Sequence, residues 1–358
     1  MERALSGAVV TRPPPPVPQR ICIVMLTALG DAVHVLPVVT ALKRYSRDTS
    51  ITWVVQPAAA ALVRGHPSVD SVVVFDRARG RRGFIESRRA LAPRKFDAVL
   101  LLQPYLKAAV LATFANAPLR IGIDRSRAAD LSWLATPTRL PPRPIGHMQD
   151  QFLEFVEFFG IPAEPLVWDL GPWPDERVWQ QEFLAAIDRP VASIVVATSR
   201  PEKDWPPERW AEVSDALVET HGLQPVLVGG RSARELAAER VIVERARHRP
   251  LSALGSGVRP LVSILDGSAL VLSPDTGPLH MSVALGRPTI SLIGYADPRR
   301  TGPYRRYHDL MIDAFHDPGE IGPVTNERRS DRMRRITVRD VLERVEIWKA
   351  RYDSRPKS

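Results

Sequence analysis

The sequence predicts an α/β protein in which two halves, each built on a parallel β-sheet, face each other across a central cleft. Short apolar runs alternate with helical segments along both halves of the 358-residue chain, and a stretch rich in Pro and Trp near residues 161–185 separates the halves. Strand–helix–strand alternation is typical of βαβ units and therefore of parallel sheets. A chain of this length is also expected to contain two domains.

In the first half, apolar runs predict strands over 21–26, 51–55, 72–75 and 98–102. Helical spacing predicts helices over 31–44 and 58–64. The basic segment 77–95 is interpreted as a loop.

The second half repeats this rhythm. It has predicted strands over 191–197, 224–228, 269–272 and 289–293, predicted helices over 207–220 and 232–246, and a short helix between its last two strands. We therefore expect Rossmann-like domains at 20–165 and 186–335, a flexible Pro-rich N-terminus at 1–19 and a linker at 166–185. An amphipathic helix at 336–352 closes the chain, and packing back on the first domain is one option for it.

Composition limits the function classes. A hydrophobic fraction of 44% with 25% charged residues excludes a mostly disordered chain. The net charge of +9 favours a polyanionic partner, which could be nucleic acid, an anionic membrane face or a phosphorylated substrate. The single cysteine, Cys22, excludes an intramolecular disulfide and a Cys-based zinc site. No apolar stretch is long enough for a secretory signal or a membrane span, and contact with a membrane surface stays open. The composition fits a reducing compartment, so a cytoplasmic protein is expected.

The loop after the first predicted strand, residues 27–37, contains the first candidate group. Gly30 permits a tight turn, Asp31 lies at the predicted helix start, and His34 lies one turn further on nearly the same face. Asp31 either caps the helix or faces the cleft as a carboxylate that accepts a proton.

A second candidate loop, residues 197–210, follows another predicted strand. Thr198 and Ser199 offer hydroxyl groups, and Lys203 offers a point charge suited to a phosphate. A solvated loop is the alternative interpretation.

The third candidate group lies at a predicted helix start between a strand end and Gly286. Free backbone N–H groups near Thr276 and Gly277 would attract a phosphate. Asp275 could take a ribose hydroxyl or fix the loop, and His280 lies one turn on. The alternative is a capped structural helix.

Several motifs are missing from the sequence. It contains no GxxxxGK[ST] loop, no HExxH, no GxSxG and no Asp-x-Asp metal clamp. A P-loop NTPase is therefore disfavoured, and we predict neither a metal site nor a cofactor.

Positive charge is concentrated in the segment 77–95, which has eight Lys and Arg residues and a single acid, Glu86. Solvated surface is one interpretation of this segment, and an anionic substrate or membrane face is another. A nucleic-acid partner is not expected, because aromatic residues are not interleaved with these charges.

Taken together, these loops resemble a known family. The resemblance rests on Gly30-Asp31 with Pro37, on the KDWP stretch at 203–206, on Val-Gly-Gly at 228–230, and on DTGPLH at 275–280 continuing to ALGRP at 284–288. In these motifs the chain resembles the ADP-heptose:lipopolysaccharide heptosyltransferases (glycosyltransferase family 9), which have the two-domain GT-B architecture.

The resemblance implies roles for individual residues. Asp31 matches the family's catalytic aspartate, a proposed general base. The positions that match donor contacts are Thr198, Ser199 and Lys203 at the diphosphate, and Asp275, Thr276, Gly277 and His280 at the helix start. For the acceptor we take as candidates His34, Arg81, Arg82 and Arg88, which lie on the same half as Asp31.

The function implied by the resemblance is inverting, metal-independent transfer of a heptose from ADP-heptose to a lipopolysaccharide core acceptor. The partners would be a nucleotide-sugar donor and an anionic glycolipid, with no cofactor and no nucleic acid, and a monomer is expected. Two alternatives remain open: a sugar-nucleotide epimerase of the same architecture and a non-enzymatic polyanion-binding protein.

Overall fold

The computed structural model describes residues 13–26 and 28–353. Residues 1–12 of the expected Pro-rich N-terminus lie outside this part of the chain, as does Thr27. The described residues form two six-stranded parallel sheets and twelve α-helices. None of these helices combines the length and apolar character that crossing a bilayer requires.

The first sheet is formed by β1 (Arg20–Val24), β2 (Ser50–Val55), β3 (Ser71–Val74), β4 (Ala98–Leu101), β5 (Leu119–Gly122) and β6 (Thr138–Arg139). The order across the sheet is β3-β2-β1-β4-β5-β6. Ile21 in β1 lies opposite Ile51 in β2 and Ala98 in β4. Apolar, β-branched strands of this kind suit a parallel sheet that is covered on both faces.

Helices cover both faces of the first sheet. They are α1 (Leu29–Tyr45), α2 (Pro57–Val63), α3 (Arg81–Leu91), α4 (Leu106–Phe114) and α5 (Met148–Glu157). Alternate residues of β1 belong to different cores: Ile21 packs with residues of α1, α2 and α5, whereas Cys22 packs with residues of α3 and α4. The period of two along a strand therefore assigns α1, α2 and α5 to one face and α3 and α4 to the other.

The second domain repeats this plan. Its strands are β7 (Val191–Val195), β8 (Gln224–Val228), β9 (Leu251–Ser252), β10 (Leu270–Pro274), β11 (Thr289–Ile293) and β12 (Met311–Asp313), in the order β12-β11-β10-β7-β8-β9. Its helices are α6 (Pro174–Ala185), α7 (Pro207–Glu219), α8 (Ala233–Arg245), α9 (Val258–Asp266), α10 (Gly277–Ala284), α11 (Pro298–Thr301) and α12 (Val338–Arg351). Viewed from the opposite edge, the strand order is the same as in the first sheet.

Each sheet reverses its strand order at one place. In the first sheet this lies between β1 and β4, and in the second between β7 and β10. Ligands of open parallel sheets bind beyond the carboxyl ends of the strands at this switch point. The predicted class of two Rossmann-like domains is confirmed, and the loops leaving these four strands are the first candidates for a site.

The prediction of a loop over residues 77–95 is wrong, because α3 occupies Arg81–Leu91. Its buried positions are Gly83, Ser87 and Leu91, spaced four residues apart. Two of the three are small and only Leu91 is strongly apolar, so the inward face carries little of the hydrophobic period that marks a helix.

Part of the expected linker is also a helix. Residues 174–185 form α6, which packs against α9 of the second domain. The Gln180 side chain donates to the Ser263 carbonyl oxygen at 2.7 Å, and Arg177 pairs with Asp266 at 2.5 Å. The second half of the predicted linker therefore packs as part of the second domain.

The closing helix α12 packs on the second domain, so the option of packing on the first is wrong. Val341, Val345 and Trp348 are buried in the core shared with β10, β11 and α7. The Trp348 indole donates to the Ala269 carbonyl oxygen at 3.0 Å. The apolar side of α12 therefore packs against the second domain, which directly precedes it in sequence.

The interface between the domains contains His34, which is buried, and His147, which is partly buried. His147, the N-cap of α5, accepts at Nδ1 from the Gln149 N–H, and its Nε2 donates to the Gly302 carbonyl oxygen at 3.0 Å. His34 contacts Gln149 through Nδ1 and Oε1, which are 3.2 Å apart. Burial lowers the pKa of His147 to about 4 and holds the pKa of His34 well below its usual range. Both rings are therefore neutral at pH 7.

This burial predicts a dependence of stability on pH. Between the ordinary histidine pKa of 6.5 and the folded value of about 4, unfolded His147 binds a proton that the folded state excludes. The free energy of unfolding should therefore fall as the pH decreases through this window. Replacing His147 by Asn, which keeps a capping side chain, should make the melting temperature less dependent on pH, as measured by thermal unfolding across the window.

The matched control is His248→Asn, since His248 is exposed. It should leave the pH dependence as in the wild type. An unchanged dependence in His147→Asn would show that the interface histidine is not responsible.

Candidate active site

Helix α1 carries Asp31 into the space between the domains. The helix begins at Leu29, two residues earlier than predicted, and its N-cap is Ala28. Asp31 is therefore the third helical residue and does not occupy the cap position. Its side chain is partly buried and lines a cavity between the domains.

The starts of α1 and α10 touch each other across the domain boundary. A Cβ added at Gly30 would lie 2.7 Å from Cδ2 of His280, and one added at Gly277 would lie 3.1 Å from Cβ of Leu29. The first of these distances is shorter than real Cβ contacts allow. Glycine at both positions therefore lets the two helix N-termini lie side by side, and Asp31 shares one crevice with the start of α10.

A cavity of about 480 Å³ opens at the carboxyl ends of both sheets. Asp31, Gln103 and Tyr105 line it from the first domain, and Lys203 and Tyr295 line it from the second. Sites for small ligands commonly measure about 300–1,000 Å³. The cavity therefore has the size and the position expected for a ligand site at two facing switch points.

Lys203 connects this cavity to a buried carboxylate. Its Nζ donates to Oδ2 of Asp275 at 2.7 Å, and the Thr301 hydroxyl donates to the same oxygen at 3.2 Å. His280 Nε2 lies 3.7 Å from Oδ1. Burial alone would raise the pKa of Asp275, but Lys203 and His280 outweigh it and hold the pKa well below its usual range. Asp275 is therefore ionised, and it fixes Lys203 at the cavity wall.

Two arginines reach the cavity from separate loops of the second domain, Arg300 from α11 and Arg328 from the segment before α12. Among the described residues, neither guanidinium group has a hydrogen-bond or ion-pair partner at bonding distance. Burial lowers the pKa of Arg300; the nearby Asp31 carboxylate opposes this effect and Arg328 adds to it. With Lys203, these groups give the cavity a positive wall that suits an anion. Neither arginine was among the site residues predicted from the sequence.

The other donor candidates of the second loop lie beside the cavity rather than in its wall. The Thr198 hydroxyl donates to the Arg200 carbonyl oxygen at 2.7 Å and accepts from the Arg200 N–H at 3.1 Å. It therefore stabilises its own loop, while Ser199 is exposed. Of the three predicted residues in this loop, only Lys203 lines the cavity.

The α10 candidates lie where the helix meets the first domain. Thr276 is the N-cap and Gly277 the first helical residue, and both are partly buried. His280 is buried one turn later, with its ring centroid 4.4 Å from that of His34. These three residues do not line the cavity itself; Gly277 and His280 pack against α1, and His280 also lies beside Asp275.

The four acceptor candidates do not reach the cavity. His34 turns toward α5 and α10 and is buried there, because three residues along α1 it no longer faces the opening. Arg81, Arg82 and Arg88 are exposed on the outer side of α3. The proximity in sequence that suggested these arginines does not place them near Asp31.

The loop after β4 supplies cavity residues that sequence reasoning missed. Gln103 accepts from the Leu26 N–H at 2.8 Å and so joins the ends of β4 and β1. Arg127, which follows β5 and also lines the cavity, donates to both carboxylate oxygens of Glu154 at 2.7 Å. The signal that could have identified this loop is the pairing of β4 with β1, which the order of strands along the chain does not reveal.

Known proteins resemble this chain over most of its length. Lipopolysaccharide core heptosyltransferase OpsX of Haemophilus influenzae is 29% identical over 313 residues, which are 87% of this chain and 89% of that protein. The structure of a glycosyltransferase family 9 protein from Veillonella parvula superposes with a TM-score of 0.78 at 22% identity, covering 92% of this chain and 96% of that one. Escherichia coli heptosyltransferase WaaC with ADP superposes with a TM-score of 0.73 at 25% identity, covering 92% and 99%. The expected GT-B architecture is confirmed.

The family assignment follows from the sequence itself. The family model of glycosyltransferase family 9 (heptosyltransferase) matches residues 85–315, which is more than half of the chain. This match includes the loops that carry Lys203, Asp275 and Arg300. The chain is therefore a glycosyltransferase that belongs to family 9, the heptosyltransferase family.

Proposed function

We propose that this enzyme transfers a heptose from ADP-heptose to a lipopolysaccharide core acceptor, with inversion at the anomeric carbon and without a metal ion. The observation that carries the proposal is the cavity between the domains, with a carboxylate on one wall and cations on the other. OpsX, a relative over most of the chain, is a lipopolysaccharide core heptosyltransferase. WaaC was solved with ADP, which supports an adenine nucleotide as the donor's leaving group. We expect the enzyme to act as a monomer in the cytoplasm.

In the proposed reaction, an acceptor hydroxyl attacks the anomeric carbon of the donor. The new glycosidic C–O bond forms as the bond between that carbon and the diphosphate oxygen breaks. Asp31 takes the proton of the attacking hydroxyl, a step for which a positioned base contributes about 10²–10⁴-fold. Attack on the face opposite the leaving ADP inverts the anomeric configuration.

The departing diphosphate gathers negative charge in the transition state. Lys203, Arg300 and Arg328 line the cavity and would receive that charge, which is how preset cations lower a barrier. The N–H groups at the start of α10, near Thr276 and Gly277, would add to this stabilisation. The protein's own cations would thus do the work that a metal ion does in other sugar transferases.

A direct assay tests the function. Incubation with ADP-heptose and a deacylated core acceptor should release ADP and form a glycoside of the opposite anomeric configuration, seen by coupled ADP detection and by NMR. Added EDTA should leave the initial rate unchanged. Absence of transfer would refute the heptosyltransferase proposal, retention would refute the single displacement, and a rate restored only by Mg²⁺ would refute metal independence.

Substitution of Asp31 separates chemistry from folding. Asp31→Asn and Asp31→Ala should lower kcat by about 10²–10⁴-fold, because the proton acceptor is lost, while thermal unfolding stays close to wild type. Asp175→Asn is the matched control, since it also removes an acid from the first turn of a helix, α6. Turnover of Asp31→Asn at the wild-type rate would rule out the base role.

Substitution of Lys203 should affect both stability and catalysis. Lys203→Ala leaves the buried Asp275 carboxylate without its cation, and breaking a buried pair in this way costs about 3–5 kcal/mol of folding free energy. Loss of a donor to the diphosphate should lower kcat/KM by about 10²–10³-fold. Thermal unfolding measures the loss of stability, and steady-state kinetics measure the loss of kcat/KM.

A double variant separates these two effects. Adding Asp275→Asn to Lys203→Ala should restore much of the stability, because a neutral amide does not need the cation, but it should not restore turnover. Lys349→Ala, at an exposed position of α12, should behave as wild type. Recovery of wild-type turnover in the double variant would show that Lys203 only supports the fold.

A further inference from the structure

The outer face of the first domain exposes large apolar side chains close together. Five of them, each between 37% and 64% exposed, lie on α3, α4 and the neighbouring turn: Ile85, Leu106, Val110, Leu131 and Leu134. Helix α4 contacts both α3 and the turn at 132–135, so these elements form one surface. Exposed apolar groups gathered on one face indicate a binding surface.

Positive charge surrounds these side chains. Around Ile85, helical spacing places Arg81, Arg82, Arg88 and Arg89 at three and four residues' distance, on the same exposed face. Lys107 follows Leu106 at the start of α4 and is also exposed. Among the described residues, the side chains of these five cations make no hydrogen bond and no ion pair. We call the five apolar residues and these five cations the basic-apolar patch.

The patch adjoins the opening of the active-site cavity. Tyr105 is the N-cap of α4, directly before Leu106, and is itself 45% exposed. The same residue lines the cavity together with Pro104 and Ala129. A ligand held against the patch would therefore lie beside the entrance that Asp31 faces.

We propose that the basic-apolar patch docks the enzyme on an anionic lipid bilayer, so that a lipid-linked acceptor enters the cavity from the membrane surface. Amphipathic surfaces with cations around apolar side chains bind this kind of interface: the apolar groups insert at the headgroup boundary and the cations attract anionic lipids. The orientation of the acceptor rests on the proposed function; the docking itself does not.

Charge complementarity favours a bilayer over other partners. The cations are distributed among the apolar side chains instead of forming a separate groove, and the acid within α3, Glu86, is already paired with Arg79 at 2.7 Å. The one large aromatic ring of the turn, Trp133, is covered by Arg125 at 4.4 Å, so it is not open for stacking on a nucleic-acid base. An anionic lipid surface matches both features of the patch.

Sedimentation with vesicles tests the proposal on the full chain. The protein should bind vesicles of phosphatidylethanolamine with phosphatidylglycerol, should not bind pure phosphatidylcholine, and should dissociate as salt is raised. Arg89→Glu with Lys107→Glu should lower the partition coefficient by more than about twenty-fold, since each basic residue near such a surface contributes about five-fold. Ile85→Ser with Leu134→Ser should also weaken binding.

Matched controls lie on other faces. Arg240→Glu with Arg245→Glu makes the same change of charge on α8, and Val178→Ser with Leu236→Ser removes two exposed apolar side chains from α6 and α8. These controls should bind vesicles as the wild type does, and all variants should keep the wild-type melting temperature.

Other results would overturn the proposal. They are absence of vesicle binding by the wild type, binding that the patch variants do not reduce, an equal loss in the controls, and patch-dependent binding of RNA in place of vesicles. Vesicle binding needs no acceptor and no turnover. Patch-dependent binding by an enzyme that shows no heptosyl transfer would therefore support docking while refuting the proposed reaction.

Discussion

The N-termini of α1 and α10 lie side by side, and glycine at Gly30 and Gly277 allows this close approach, with no room for a Cβ at Gly30. One helix belongs to each domain, so this contact holds the carboxyl ends of the two sheets near each other, together with the bond from His147 to the Gly302 carbonyl oxygen. It also directs two positive helix ends toward one crevice, where they attract an anion. The same approach brings the start of α1, with Asp31, to the cavity that Arg300 lines from the second domain.

Charge within the crevice is divided between fixed pairs and unpaired cations. Asp275 contacts Lys203, Thr301 and His280. Arg300 and Arg328 line the cavity, and among the described residues neither has a partner at bonding distance. The first arrangement gives the wall its rigidity and the second gives it an excess of positive charge. A site of this kind is organised before its ligand arrives, so little reorganisation is required when charge develops.

The sequence predicted those elements that depend on the pattern of neighbouring residues. Short apolar runs identified β1, β2 and β7, and the Gly-Pro start of α10, Asp31 and Lys203 were also predicted. It did not predict α3, whose inward face uses Gly83 and Ser87, nor the direction of His34, which depends on where α5 packs. Gln103 and Arg328 reach the cavity through strand pairing and a long loop, and these are long-range facts that spacing along the chain does not contain.

The pair formed by Lys203 and Asp275 also bears on how the enzyme releases its nucleotide under the proposed reaction. A diphosphate that enters must share an ammonium group already neutralised by an internal carboxylate, so the gain in binding energy is smaller than for an unpaired lysine. As ADP departs, Asp275 can retain the ammonium group without an unbalanced charge being left behind. Product release limits the turnover of many enzymes. Under the proposed reaction, the Asp275 carboxylate beside Lys203 would favour fast release of ADP over tight binding of it.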